Sequence, residues 1–435
     1  MTPVERSLAA AFAPRAGEPG WLDEARRAAL ARFEALGLPT ARHEDWRFTS
    51  LSALAPLELA PRAPGGEGAA ALLERAPAPD GARLVFVNGR YRPDLSARRG
   101  LPRGAAVTTL AEALRDTPDL VRPHLGRLAR PGDQAFVAAN AALFEDGAFV
   151  HLPANVAADA PIALVFLSEG AGAAFAAHPR TLVLADAGAR ATIEEVFLGG
   201  AGAYLTNAVT ELVLGEGASV EHVRLQLESA AAVHVSSVHA EEAAGAKLAA
   251  HAFTLGGKVS RAEIRARLAG EGSEIAANGL YMATGDQIVD NFSWVEHAVP
   301  RCTTTETFKG ILDGRARGVF AGRIRVLPGA QKTVARQMNS NLLLSDDAVV
   351  DTKPQLEIFA DDVKCGHGGT VGQLDDASLF YLRSRGLPEA DAKSLLVWAF
   401  ASEMVGLVGA PSLRARAKNL VAVRLPAGAR LLEAA

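Results

Sequence analysis

Four short segments recur at almost constant spacing: Gly188-Ala189-Arg190-Ala191, Gly217-Ala218-Ser219-Val220, Gly245-Ala246-Lys247-Leu248 and Gly272-Ser273-Glu274-Ile275. The steps are 29, 28 and 27 residues (217 − 188, 245 − 217, 272 − 245). Each is a glycine, a small residue, any residue and an apolar one. Further along, Asp346-Asp347 and Asp361-Asp362 stand 15 apart (361 − 346), about half the longer period. A period in the high twenties with half-steps near fifteen fits a coil carrying more than one strand per turn. One such coil cannot bury its own apolar face, so neighbouring coils must stack to make a core. A β-sandwich also places strands every 8–12 residues, but it rarely keeps one turn motif in register over four units. The pattern therefore predicts a mostly β chain with a parallel β-helix, or solenoid, over residues 126–374.

The flanks read differently. Trp21 to Leu36 repeats apolar residues at helical spacing and meets Gly37 and Pro39 as a stop. Residues 1–125 are accordingly expected to be a mainly helical N-terminal domain. They also carry a hairpin at Arg83–Tyr91, where Asn88-Gly89 separates β-branched and aromatic residues. Residues 375–435 return to helix. Asp375 and Asp376 offer caps, Gly386 a stop, and the apolar face after Pro388 includes Leu395, Trp398 and Val405. Two short helices make an α-hairpin too small for its own core, so it must dock on the solenoid or on a partner.

Composition removes several function classes. Of 435 residues, 45 are Lys or Arg and 49 Asp or Glu, a net charge of −4 with no long basic block. That disfavours a nucleic-acid partner and an anionic membrane surface. Two cysteines, Cys302 and Cys365, rule out a disulfide framework and suit a reducing compartment. The first residues lack a sustained apolar run and carry Glu5, so a cytoplasmic location is expected.

Cys365 and His367 are the most chemically suggestive pair. They lie two apart in "DDVKCGHGGT", too rich in glycine for a helix. On a strand both side chains would share one face, as two ligands of a soft or borderline metal would. A closed site needs about four ligands, and no other Cys or His lies within about thirty residues. His297 and Cys302 could approach only if coils stacked them there. A nucleophilic cysteine would need a base and an orienting group; Lys364 favours the thiolate while Asp361 and Asp362 oppose it. A small buried cysteine in a tight turn beside a solvated histidine is the plain structural alternative. Glu194-Glu195 and Glu241-Glu242 raise glycoside chemistry, but adjacent carboxylates on a strand point to opposite faces.

Longer stretches then resemble a known family. "TKPQLEIFADDVKCGHGGTVGQLDDASLFYLRSRGL" (Thr352 to Leu387) and "GVFAGRIRVLPGAQKTVARQMNSNLLLS" (Gly318 to Ser345) are similar to the SufB/SufD family of the SUF iron–sulfur cluster assembly machinery. "GLPTARHEDWRFTSL" (Gly37 to Leu51) resembles the motif that opens its SufD branch. The chain departs from the commonest wording at Gly366, often serine, and Gly369, often alanine. The resemblance implies a right-handed parallel β-helix with helical domains at both ends. It implies a non-catalytic scaffold that pairs with a SufB-like paralogue and docks two copies of a SufC-like ABC-type ATPase through its C-terminal helices. Phe380, Tyr381, Arg385 and Phe400 are the residues expected at that partner interface. It further implies a transient cluster at the paralogue interface, with His367 as ligand and Cys365 as a secondary candidate, and no cofactor held stably by the isolated chain. A β-helix carbohydrate enzyme and a homodimeric scaffold remain the alternatives, and an exposed end strand would permit a homodimer in isolation.

Overall fold

The computed structural model describes the chain apart from residues 16, 61–65, 77–80, 171, 429 and 431–435. The glycine repeat forms the corners of a parallel β-solenoid of about eight turns. Gly188, Gly217, Gly245 and Gly272 have φ of 69°, 64°, 65° and 73°. Each stands two residues before a strand: Arg190–Gly199, Ser219–Leu227, Lys247–Thr254 and Glu274–Ala283. A Cβ is strained in that left-handed region, which is why glycine marks the corner. The series continues where the glycines stop. Arg301 and Lys332, at φ 61° and 63°, precede Thr303–Leu312 and Val334–Leu343 by the same two residues.

Each coil gives one strand to each of two ten-stranded sheets. Asp346-Asp347 and Asp361-Asp362 enter Val349–Ile358 and Lys364–Gly372, which lie in opposite sheets. The 15-residue half-step is thus half a coil. Side chains alternate between the inside of the coil and its outer faces. In-register stacking makes columns inside, such as Phe86, Phe166 and Phe197 with ring centroids 5.3 and 5.0 Å apart.

The two ends of the solenoid are unlike. At the N-terminal end, Arg83–Val87 pairs in parallel with Ile162–Ser168 and folds back through Asn88-Gly89 (φ 52° and 82°) into Arg90–Tyr91. In the other sheet, Ala106–Thr109 lies antiparallel to Gly147–Leu152. The sheets therefore begin before residue 126, and short antiparallel strands cover their first edges. At the C-terminal end the last strands, Val349–Ile358 and Lys364–Gly372, contain no buried residue, and no further strand pairs with either among the described residues.

Helices Gly20–Leu36 and Ala135–Leu143 pack on the second sheet through Leu205, Val233, Val235 and Val259. Buried ions pin the connecting loop. Arg180 Nη2 donates to Glu211 at 2.6 Å, and the Glu211 carboxylate accepts from the backbone N–H groups of Gly126, Leu128 and Ala129 at 2.7, 2.8 and 3.0 Å.

At the C-terminus, Asp375 caps helix Asp376–Ser384 by accepting from the Ser378 N–H at 2.8 Å, and Gly386 follows at φ 91°. The second helix, Glu389–Gly406, fills 18 residues of the apolar stretch after Pro388, and a third, Pro411–Ala422, was not foreseen. Val397, Ala401, Met404, Leu413 and Val421 bury against Val196, Val223, Phe253 and Leu280 on the outside of the first sheet. The hairpin's dock is thus the solenoid itself for its second helix, while Asp376–Ser384 buries nothing. No helix among the described residues is long and apolar enough to cross a membrane.

Candidate functional site

The uncapped end carries Cys365 and His367. Both lie on Lys364–Gly372, which runs parallel to Val334–Leu343 with Cys365 opposite Ala335, His367 opposite Gln337 and Gly369 opposite Asn339. The period-two expectation holds, since both side chains share the face that continues the interior columns. Their surroundings differ. Cys365 is partly buried against the interior core, and burial pushes its thiol up, away from the thiolate. His367 is exposed at the open end, and its ring makes no hydrogen bond among the described residues.

Backbone direction adds to the picture. The Lys364 N–H donates to Thr333 O at 2.8 Å, so even-numbered residues bond back into the sheet. The N–H and C=O groups of Cys365, His367, Gly369 and Val371 therefore face the free edge. In the other sheet the Val349 and Phe359 N–H groups bond inward, leaving the even residues at its edge. One of those is Pro354, which has no N–H, so that edge is interrupted while the edge bearing His367 is continuous. Among the described residues, nine of the twelve exposed large hydrophobic ones fall between Met338 and Leu387, around this same end.

Behind His367 the interior turns polar. Gln337 and Glu306 are successive members of the His367 column. Gln337 Nε2 donates to Glu306 Oε2 at 2.5 Å, and Ser293 Oγ donates to the same oxygen at 3.0 Å from the opposite sheet. Glu306 Oε1 and Gln337 Oε1 are buried without a partner among the described residues. Burial pushes the Glu306 carboxyl up to about 7, against the opposing effect of its two hydrogen bonds. Sequence reading missed both residues, because what joins them to His367 is a register spanning about thirty residues per step.

A raised carboxyl pKa means that the folded state holds the proton over a range where the unfolded chain has lost it. Glu306 therefore contributes stability that is complete below about pH 4.5 and is lost as pH rises through about 7. We expect Glu306→Gln to flatten the stability profile between pH 5 and 8 by about 3 kcal/mol relative to wild type, from urea unfolding at each pH. An unchanged difference between the two proteins across that range would refute the assignment.

The other candidates close on themselves. His297 meets Thr304 Oγ1 at 2.7 Å and Thr333 Oγ1 at 3.4 Å, and burial pushes it down to about 4. Cys302 is buried against Ser273 Oγ at 3.3 Å. The paired glutamates split across the sheet as expected. Glu195 faces inward to Thr181, Thr210 and His222 at 2.9, 2.8 and 3.0 Å, while Glu194 faces out to Arg416 on the third C-terminal helix. Glu241 pairs outward with Arg127 at 2.7 Å, while Glu242 is buried. Neither pair presents two carboxylates to one substrate. Among the described residues no group of three or more His, Cys, Asp or Glu could hold a metal ion.

Of the four residues expected at a partner interface, Phe380, Tyr381 and Arg385 are exposed on or just after Asp376–Ser384. Phe400 instead lies partly buried against the solenoid, with the Lys309 ammonium 4.4 Å from its ring centroid.

Two family models match the chain. One, described as SUF system FeS cluster assembly, SufBD core domain, covers residues 166–400, and the SufBD protein N-terminal region covers 77–164. The iron–sulfur cluster assembly SufBD family protein slr0076 of Synechocystis is 33% identical over 413 residues, 92% of this chain and 90% of the relative. The iron–sulfur cluster assembly protein SufD of Escherichia coli is 33% identical over 402 residues, 91% of each chain. Bacillus subtilis SufD is 25% identical over 421 residues, 92% of this chain and 93% of the relative.

Proposed function

The chain belongs to the SufBD family of SUF-system iron–sulfur cluster assembly proteins, and on that premise we propose that it is a non-catalytic scaffold whose uncapped solenoid end joins a SufB-like paralogue. A nascent cluster would form at that junction, with His367 as this chain's ligand. The observation that carries the reading is the asymmetry of the solenoid. Its first edges are covered, whereas its last offers free backbone, apolar side chains and His367 together. Edge strands left open invite a strand from another chain.

Two ligand-capable residues are half a site, so the remainder must come from the partner. A neutral imidazole supplies a lone pair, and the exposed His367 ring is free to turn toward an approaching surface. Cys365 is the weaker ligand, being partly buried with its thiol pushed up. The uncovered helix Asp376–Ser384, with Phe380, Tyr381 and Arg385, would dock one of two SufC-like ATPase copies. The cluster is the product being assembled, and the isolated chain would hold none stably.

Anaerobic reconstitution of the purified complex tests the ligand role. We expect His367→Ala to lower cluster yield about tenfold or more while subunit stoichiometry is unchanged, and Cys365→Ala to have a smaller effect. Wild-type rate and yield from His367→Ala in an intact complex would rule the role out.

A further inference from the structure

We propose that Gln337 is a positioning residue for His367, its side-chain carbonyl accepting the proton of one ring nitrogen so that the other is aimed at the metal; this rests on the reading of His367 as a ligand. A histidine ligand works best when its second nitrogen is held by an acceptor, which fixes both tautomer and ring angle. The adjacent strand carries a candidate acceptor in the same column. Gln337 is the register partner of His367 and points to the same face. It is only 1% exposed, and its Oε1 has no hydrogen-bond partner among the described residues.

The amide cannot turn freely to offer its NH2 group instead. Its Nε2 is committed to Glu306 Oε2, which is itself held by Ser293 across the interior. Space also fixes it. A Cβ added at Gly322 on the facing sheet would come within 2.2 Å of Gln337 Nε2, so the glutamine fills the room that Gly322 leaves. An unpaired buried carbonyl is costly, because it has given up water and gained no donor. Drawing the His367 ring inward removes that cost and orients the ring in the same movement. His367 is solvated in the isolated chain, so the bond forms as the partner covers the end.

The test uses the assembled complex with Cu2+ as a paramagnetic probe. Pulsed EPR reads the quadrupole coupling of the remote imidazole nitrogen, which responds to the hydrogen bond at that nitrogen. The His367 signal is the component lost in His367→Ala. Gln337→Leu is expected to shift that coupling and to weaken Cu2+ binding about 10–100-fold. Glu306→Gln keeps an acceptor for Nε2, so a coupling shifted in that variant as in Gln337→Leu would count against the positioning role. Glu306→Leu frees the amide to turn and should resemble Gln337→Leu. If His367→Ala removes no signal, the ligand reading itself fails. If it removes one and Gln337→Leu leaves coupling and affinity at wild-type values, only the positioning role fails. A Gln337→Leu chain that loses affinity with an unshifted coupling also overturns it, since packing damage alone would do that.

Discussion

Arg261→Ala is expected to destabilise the chain by about 3–5 kcal/mol, the usual result of removing one partner from a buried ion pair. Arg261 is fully buried on Val259–Leu268. Its Nε donates to Glu263 Oε1 at 2.6 Å, and its Nη1 donates to Asp290 and to the Asp45 carbonyl, the latter at 2.8 Å. The guanidinium also lies over Trp46, 4.2 Å from the ring centroid. Thr49 Oγ1 donates to Asp290 from the same N-terminal segment. One cation thus fastens "HEDWRFTS" to the solenoid and neutralises two carboxylates. Burial would raise Glu263, yet Arg261 and Arg265 together hold it down to about 2.

With alanine at 261, Asp290 keeps no cation among the described residues and Glu263 keeps only Arg265. Urea unfolding should show the loss, and limited proteolysis should cut faster between residues 40 and 50. Replacing both members, Arg261→Met with Asp290→Leu, should recover part of the loss, because no charge is then stranded at that position. A loss below about 1 kcal/mol would mean that solvent reaches the carboxylates, contrary to their burial.

The sequence exposed the repeat because glycine is the cheapest residue at a left-handed corner, so Gly188 to Gly272 announce themselves. It hid the next two corners because Arg301 and Lys332 adopt the same backbone without that signal. The parity of Cys365 and His367 was legible, being a local property of any strand. Gln337 and Glu306 were not, since their adjacency depends on coil lengths of 29 to 31 residues (303 − 274, 334 − 303, 364 − 334) that vary by a residue or two. A slip of one residue would have turned either one outward. How Phe400 packs was not legible for a related reason. Glu389–Gly406 is apolar on more than one side, so pattern alone did not say which face meets the sheet. The early strands Arg83–Val87 and Ala106–Thr109 are four or five residues long, and their partners lie about 40 to 80 residues away.

Phe380→Asp should separate folding from assembly. Phe380 is 74% exposed on a helix that buries no residue, so the chain's own unfolding should shift by no more than about 0.5 kcal/mol. The proposed ATPase contact predicts a much larger effect elsewhere. An aromatic anchor at the centre of an interface is worth about 2 kcal/mol or more, and each 1.4 kcal/mol is a factor of ten. Affinity for the SufC-like subunit should therefore fall about 30-fold or further, because a carboxylate is also left in a dehydrated contact. Tyr381→Asp on the same exposed turn should act alike. Phe400→Asp should instead unfold the C-terminal helices, since that ring is packed on the solenoid beside Lys309. All three variants can be followed by melting and by co-purification. Retained co-purification in Phe380→Asp, with the fold intact, would move the docking surface off Asp376–Ser384.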